Sequence, residues 1–582
     1  MNRNVPKDRR GGLNSRPLPP VRTAAAVAVC KITRNLLHIL GRGGTALPGR
    51  AAMVIRRDLL EHVSRGMDVI LVTGTNGKTT AAAFLSEAMR RAGREVLANR
   101  SGANLVYGVT AEFAAAADLL GRPTRRYAVI ECDEGALRQV APMVHPRVIV
   151  VTNIFRDQLD RYGEVMHTLE AVREGIRQAP DAVLCLNADD SLTASLALEA
   201  PNPVVWFGLE AGAVRKDRKE ETDGRAEGPV SKDISAATGE ADPDGSSETE
   251  ISDARYCIRC GAEYRYHYRT YAHLGGFYCP SCGFTRSVPD VAVTSIERIG
   301  ADGSLVYMRV PGLVPGEAPA AGSDPRGTVA GGSDHAVPGE PDSSPDKAAK
   351  PGSVPEKADG KIVAPEEPAG PEKAAGQFTL PEGIAQTIPV RIGLPALYNI
   401  YNAAAAMAAY TAAGLPRKEI LDGLAHAQSS FGRMESFRIR GVPIRMILVK
   451  NPAGCNQALD YLCALEAPCS LVLGLNDLDA DGHDISWIWD ADYEKLCGRK
   501  NIRRIYVWGR RAEDLQLRLK YAGLPEKRIR MVPERSMRDL LDHIYKSGVP
   551  VYILPNYTTM LPLRDALSRA AGKDSFWKGR QA

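Results

Sequence analysis

Val69-Ile-Leu-Val-Thr-Gly-Thr-Asn-Gly-Lys-Thr-Thr80 decides how this chain is read. Four apolar residues make a buried strand, a glycine turn follows, and a helix is expected to open at Ala81. In that order the three pieces form a phosphate cradle. Gly74 and Gly77 let backbone N–H groups approach phosphate oxygens, and the helix N-terminus faces the anion. Lys78 adds a point charge and Thr79 can offer its hydroxyl to Mg²⁺. The spacing departs from GxxxxGK[ST], because Val72 stands five residues before Gly77. Gly74, Thr75, Asn76, Gly77, Lys78, Thr79 and Thr80 are the candidate ATP-binding residues.

A chain of 582 residues has room for about two to four domains. Its formal net charge of +5 is small for that length and does not point to nucleic acid. Of eleven cysteines, four stand in a metal pattern. The other seven (Cys30, Cys132, Cys185, Cys455, Cys463, Cys469, Cys497) are scattered among mostly apolar neighbours, as reduced thiols of a cytoplasmic protein would be. No apolar run is long enough for a secretory signal or a transmembrane helix. Residues 22–41 read as an amphipathic basic helix with Val27, Ile32, Leu36, Leu37 and Leu40 available for one side, more in keeping with packing than with a membrane anchor.

Composition divides the chain. Residues 1–20 are a Pro-containing basic tail, expected to be disordered, and 21–65 a helical N-terminal segment. From 66 to 212 apolar strands (Val69–Val72, Val96–Ala98, Tyr127–Ile130, Val148–Val151, Ala182–Leu186) alternate with stretches of helical length, which predicts an α/β domain with a largely parallel sheet. Its phosphate loop should lie at the carboxyl edge. Residues 213–254 and 313–376 are too poor in large apolar side chains to offset chain entropy and read as disordered insertions. Between them, 255–312 should hold a metal module and the return to the central domain, which 377–432 complete with an Ala-rich helical run from Tyr398. Residues 433–576 read as a second α/β domain, with strands at Ile444–Val449, Ser470–Leu473, Arg504–Val507 and Val551–Leu554, and 577–582 as a tail.

Cys257-Ile-Arg-Cys260 and Cys279-Pro-Ser-Cys282 form two CxxC pairs around a hairpin, the pattern of a structural Zn²⁺ ribbon. Four thiolates leave no open position for a substrate. Tyr264, Arg265, Tyr266, Tyr268 and Arg269 are residue types that could stack on nucleic acid, but a small stapled module is the simpler reading. Glu131, Asp133 and Glu134 follow the strand Tyr127–Ile130, where a carboxylate beside the phosphate loop can hold Mg²⁺. A further polar cluster, Thr152–Gly163, follows Val148–Val151.

Together these pieces resemble the Mur ligase superfamily, which carries a GTNGKT loop, a Glu after the following core strand, a TN…DHLDxHG segment, an Asn-x-x-Asn helix start and a GRME-like hinge. Here these are Gly74–Thr79, Glu131, Thr152–Gly163, Asn399-Ile-Tyr-Asn402 and Gly432-Arg433-Met434-Glu435. The resemblance implies that Glu131 holds Mg²⁺, Asn399 contacts adenine and Arg433 reaches the nucleotide phosphates. Gln158 and Tyr398 replace two histidines of the family pattern. Leu448-Val-Lys-Asn-Pro-Ala-Gly-Cys-Asn-Gln457 stands where amino-acid-adding members carry Asp-Tyr-Ala-His-Asn-Pro. That stretch and the inserted ribbon are similar to the MurT subgroup, the ligase subunits of lipid II isoglutaminyl synthase. Further matches are Leu186-Asn-Ala-Asp-Asp190 and Leu475–Asp490.

The resemblance implies ATP-dependent amidation of the D-glutamate α-carboxyl in the lipid II stem peptide, in a heterodimer with the glutaminase subunit GatD. Asp484 would complete that partner's Cys-His-Asp triad, against a simpler reading as a loop-capping Asp. ATP, Mg²⁺ and structural Zn²⁺ are the implied cofactors. The implied site of action is the cytoplasm, with peripheral membrane contact through the lipid substrate at the inner face. No nucleic-acid partner is expected. The rival reading is an amino-acid-adding Mur ligase acting on a UDP-linked peptidoglycan precursor.

Overall fold

The segment that opens the sequence argument becomes β1 (Asp68–Thr73), an inner strand of the larger sheet. A computed structural model describes residues 20–39, 46–99, 103–156, 165–214, 253–300, 303–311, 385–427 and 433–572. Parallel strands β2 (Val96–Ala98), β3 (Tyr127–Glu131), β4 (Val148–Val151), β5 (Val183–Asn187) and β6 (Val204–Leu209) accompany β1. After a two-stranded hairpin, β7 (Arg265–Tyr271) and β8 (Leu274–Tyr278), the chain returns with β9 (Val291–Gly300), β10 (Gly303–Val310) and β11 (Gln386–Ile392). Among the described residues the sheet order is β11-β10-β9-β6-β5-β4-β1-β3-β2.

Runs such as Val148-Ile-Val-Val151 are buried on both faces, which is why they carry no polar alternation. The strands between 66 and 212 pair parallel throughout, as expected. At the far edge β9, β10 and β11 pair antiparallel, so the sheet is largely parallel with an antiparallel margin. In β10 and β11 buried positions alternate with half-buried or exposed ones, as in buried Val306, Met308 and Val310 of β10, and this weaker signal is not a continuous apolar run. The helix after β1 starts at Lys78, three residues before Ala81, because Gly77 already supplies the left-handed residue that ends the turn. The order changes sense between β1 and β4, so the phosphate loop stands at the switch point of the sheet. Helix Leu397–Ala412 lies across one face, its run Ala403–Ala406 fully buried against the core.

The C-terminal region has a six-stranded sheet of order β12-β13-β17-β14-β15-β16, parallel except for the first pair. Its strands are β12 (Arg433–Ile439), β13 (Val442–Ile447), β14 (Cys469–Gly474), β15 (Ile502–Trp508), β16 (Ile529–Met531) and β17 (Val551–Pro555). Glu435 of β12 forms a two-pronged ion pair with Arg564 of the last helix, both contacts 2.8 Å.

The N-terminal helix Pro20–Ile39 corrects one expectation. Val27 is fully buried while Ile32 and Leu36 are 65% and 55% exposed, so they do not share one packed side. The helix instead buries Thr23, Ala26, Val27 and Cys30, small residues that permit close helix packing. Leu40 and most of the two insertions lie outside the described residues.

Candidate phosphate site

At the carboxyl end of β1 the loop turns on Gly74 (φ +116°) and Gly77 (φ +88°), conformations that only glycine adopts at low cost. A Cβ on Gly74 would collide with Thr152 Oγ1 and one on Gly77 with Asn402 Oδ1. The turn after β4 clamps the loop from outside. Thr75 Oγ1 donates to Phe155 O (3.1 Å) and accepts from Phe155 N–H (3.0 Å). Asn76 N–H donates to Asn153 Oδ1 (2.9 Å), while the Thr152 hydroxyl and Asn153 amide donate to Asn76 O (2.6 and 3.1 Å). Thr80 is buried one helical residue beyond Thr79.

Lys78 reaches back over the loop, donating to Gly74 O (2.6 Å) and to Glu134 Oε1 (2.7 Å). Burial disfavours its ammonium, but Glu134, Glu131 and Asp133 outweigh that and raise its pKa, so it stays charged. Glu134 is raised by the same burial, with Lys78 opposing. Thr79 Oγ1 donates to Glu131 Oε2 at 2.8 Å. Asn99 holds Glu131 from behind, donating to its carbonyl (2.7 Å) and accepting from its N–H (2.8 Å). A hydroxyl beside a carboxylate oxygen, both hard donors, fits a Mg²⁺ position.

Asn399 is buried and donates to Pro395 O (2.6 Å). Asn402, one turn on, is the amide that abuts Gly77. For Arg433 the backbone pairs with Ile447, and its side chain lies outside the described residues, as do 157–164. The C-terminal region meets the loop through Asn451. This residue caps helix Pro452–Cys463, accepting from Gly454 N–H (2.8 Å), and its amide donates to Asn76 Oδ1 (3.3 Å). Beside that contact a narrow cleft, lined in part by Arg156, Tyr271, Gln457 and Lys495, is bridged by an Arg156–Asp490 ion pair of 2.7 Å.

Sequence reasoning noted Leu186–Asp190 only as a motif, and the structure makes it a hub. Asp189 is fully buried and accepts from Arg286 Nε (2.6 Å), the Tyr401 hydroxyl (2.7 Å) and Leu209 N–H (2.8 Å). Asp190 accepts from Ile154 N–H (2.8 Å) and lies 3.1 Å from His273 Nε2, at the tip of the β7–β8 hairpin. Burial would raise the Asp190 carboxyl, yet the bonds from His273, Thr193 and Ile154 hold it below the usual carboxylate value. Exchanging Arg286 for Met removes the only cation bonded to buried Asp189 among the described residues. The cost is expected to be about 3 kcal/mol in denaturant unfolding, with Asp189→Asn recovering part of it.

The four cysteines close on one another. Their sulfurs all lie within 4.8 Å, with Cys257–Cys282 at 3.5 Å and Cys260–Cys279 at 3.4 Å. Zn–S bonds of about 2.3 Å at tetrahedral angles require edges near 3.8 Å, so the donor set fits zinc. Tyr264 and Tyr268 are buried in and under this module, which leaves them unsuited to stacking on bases. The hairpin tip touches the phosphate loop indirectly: His273 packs on Phe155 at 4.6 Å between ring centres, and Phe155 holds Thr75. Cys260→Ser with Cys282→Ser is therefore expected to raise the nucleotide Kd several-fold and lower the melting temperature, read by calorimetry.

Asp484 is partly exposed, and its carboxylate accepts from Ser486 N–H at 2.8 Å. That is the loop-capping geometry. Its neighbour Asp481 is buried and bonded to Thr558, and Asp477 faces Arg510 at 3.3 Å. Asp479 is fully exposed.

Residues 72–237 match the Mur ligase middle domain family, and 448–560 match the MurT ligase C-terminal family. A stretch similar to the Mur ligase middle domain is thus followed by one similar to the MurT C-terminal domain. MurT-type relatives match along nearly the whole length. The lipid II isoglutaminyl synthase (glutamine-hydrolyzing) subunit MurT of Streptococcus pneumoniae is 28% identical over 94% of this chain and 97% of its own. That of Staphylococcus aureus strain COL is 28% identical over 94% and 99%. Among solved structures, a pseudomurein peptide ligase type C from Methanothermus fervidus superposes with a TM-score of 0.52 at 16% identity, covering 88% of this chain and 80% of that one. MurF from Acinetobacter baumannii gives 0.51 at 15%, with 89% and 80% covered. At these identities the last two show the Mur ligase fold alone.

Proposed function

We propose that this chain is the ligase subunit of a glutamine-hydrolysing lipid II isoglutaminyl synthase, converting the α-carboxyl of D-glutamate in the stem peptide to an amide. The carrying observation is the contact of Asn451 with Asn76, which puts the stretch 448–457, where the chain departs from amino-acid-adding ligases, at the phosphate loop.

In this reading the substrate carboxylate attacks the γ-phosphorus of ATP, ADP leaves, and an acyl phosphate forms. Ammonia then attacks the acyl carbon, the C–O bond to phosphate breaks, and a proton is lost as the amide appears. Lys78, held charged by its carboxylate neighbours, stabilises the transferring phosphoryl group once a nucleotide displaces its bonds to the loop. Mg²⁺ at Thr79 and Glu131 would add positive charge beside the phosphates. Asn399 and Arg433 are assigned to the adenine and to the phosphates. Cys257, Cys260, Cys279 and Cys282 would carry a structural Zn²⁺ that keeps the hairpin tip against Phe155.

Ammonia is scarce at neutral pH, so a second subunit, a glutaminase of the GatD type, is assigned to supply it, with Asp484 orienting its histidine. The test is the nucleophile. With ATP, Mg²⁺ and lipid II, ammonium should yield the amide by mass spectrometry, and amino acids should not be added. Amino-acid addition without amide formation would transfer the chain to the amino-acid-adding ligases.

A further inference from the structure

The N-terminus carries most of the chain's asymmetry in charge. Residues 1–57 hold twelve Lys and Arg against the single acid Asp8, a net +11. Because the whole chain is +5, the remaining 525 residues sum to −6. The same region exposes large apolar side chains. On helix Pro20–Ile39 the outward stripe is Val21, Ile32, Leu36 and Ile39, at 75%, 65%, 55% and 81% exposure. Spacings of eleven, four and three residues put them on one helical face.

That face is turned outward by the helix's own packing. Cys30 and Lys31 reach Ala111 O (3.8 Å) and Ala117 O (2.6 Å), tying the opposite side to helix Val106–Ala116. The next helix, Ala46–Ile55, packs on the first and exposes Leu47 and Val54 at 52% and 80%. Exposed Arg22, Arg50 and Arg57 stand in the same two-helix unit, and neither helix contains an acidic residue.

We propose that this two-helix face docks the chain peripherally on an anionic lipid surface. Apolar side chains would enter the boundary between headgroups and acyl chains while arginines meet the lipid phosphates. A protein partner would equally cover apolar side chains, but a net +11, of which Arg34 and Arg56 are paired with Glu112 and Asp58, still leaves an excess of cations that selects an extended anionic surface. No described helix is long and apolar enough to cross a membrane, so the contact is interfacial. The inference does not rest on the lipid-linked substrate, because its readout is vesicle binding.

The test is co-sedimentation of the full chain with vesicles of phosphatidylcholine, with and without phosphatidylglycerol. The expected result is binding at least about tenfold tighter to the anionic vesicles, weakened by salt and not competed by inorganic phosphate at equal ionic strength. Ile32→Glu with Leu36→Glu and Ile39→Glu should lose most of it. Arg22→Glu with Arg50→Glu, which leaves the apolar stripe intact, should lose it as well. Wild-type chain left in the supernatant would overturn the proposal, as would apolar variants that bind like wild type. A wild-type dimer that the same apolar substitutions dissociate would give the face to a second copy instead.

Discussion

Lys78→Met is expected to lower ATP-dependent amide formation by about a thousandfold, because one fixed positive charge aimed at the transferring phosphoryl group is worth that order in a water-excluded site. The structure shows why the charge is fixed. Lys78 is buried, anchored on Gly74 O, and surrounded by Glu131, Asp133 and Glu134, which keep it protonated despite burial. Lys78→Arg should not rescue, since the ammonium lies 2.6 Å from a loop carbonyl and a planar guanidinium needs more room. The Met variant also leaves Glu134 buried without its cation, so part of any loss could be stability. Lys78→Met with Glu134→Gln separates the two: it should recover melting temperature but not turnover.

Asp484→Asn is expected to divide the reaction by nitrogen source. Glutamine-driven amidation with the partner should fall by up to about ten-thousandfold, as when an Asp that orients a catalytic His becomes Asn. Ammonium-driven amidation should stay within about twofold. The substitution is well suited because an Asn carbonyl can still accept the Ser486 N–H, so the turn is retained. Equal loss with both nitrogen sources would make Asp484 a structural cap only. Unchanged glutamine use would move the triad role to another acid, and Asp479, fully exposed, is the first to examine.

Legibility followed the strength of the local physics. β1, β4 and β17 are apolar runs buried on both faces, and such runs announce themselves. The phosphate loop is equally plain, because two left-handed glycines, a lysine and a threonine have few other uses together. β10 and β11 are less so: they alternate in burial, and residues 311–385 separate them along the chain. The buried Asp189–Arg286 pair spans 97 positions, and the Asp190–His273 pair 83, so no spacing rule joins them. In the sequence Asn451 stands only as a departure from a family pattern, and its bond to Asn76 crosses 375 positions. The N-terminal helix misled because its apolar residues split between a small-residue packing face and an outward one.

The central claim is that ATP-dependent chemistry at the phosphate loop forms an amide whose nitrogen comes from a second subunit. The most direct measurement gives the purified chain ATP, Mg²⁺ and lipid II with either ammonium or glutamine, each with and without a GatD-type glutaminase, and follows the amide by mass spectrometry. The expected result is product from ammonium with this chain alone, and from glutamine only when the partner is present. Product from glutamine without the partner, or none from ammonium under any condition, would contradict the account.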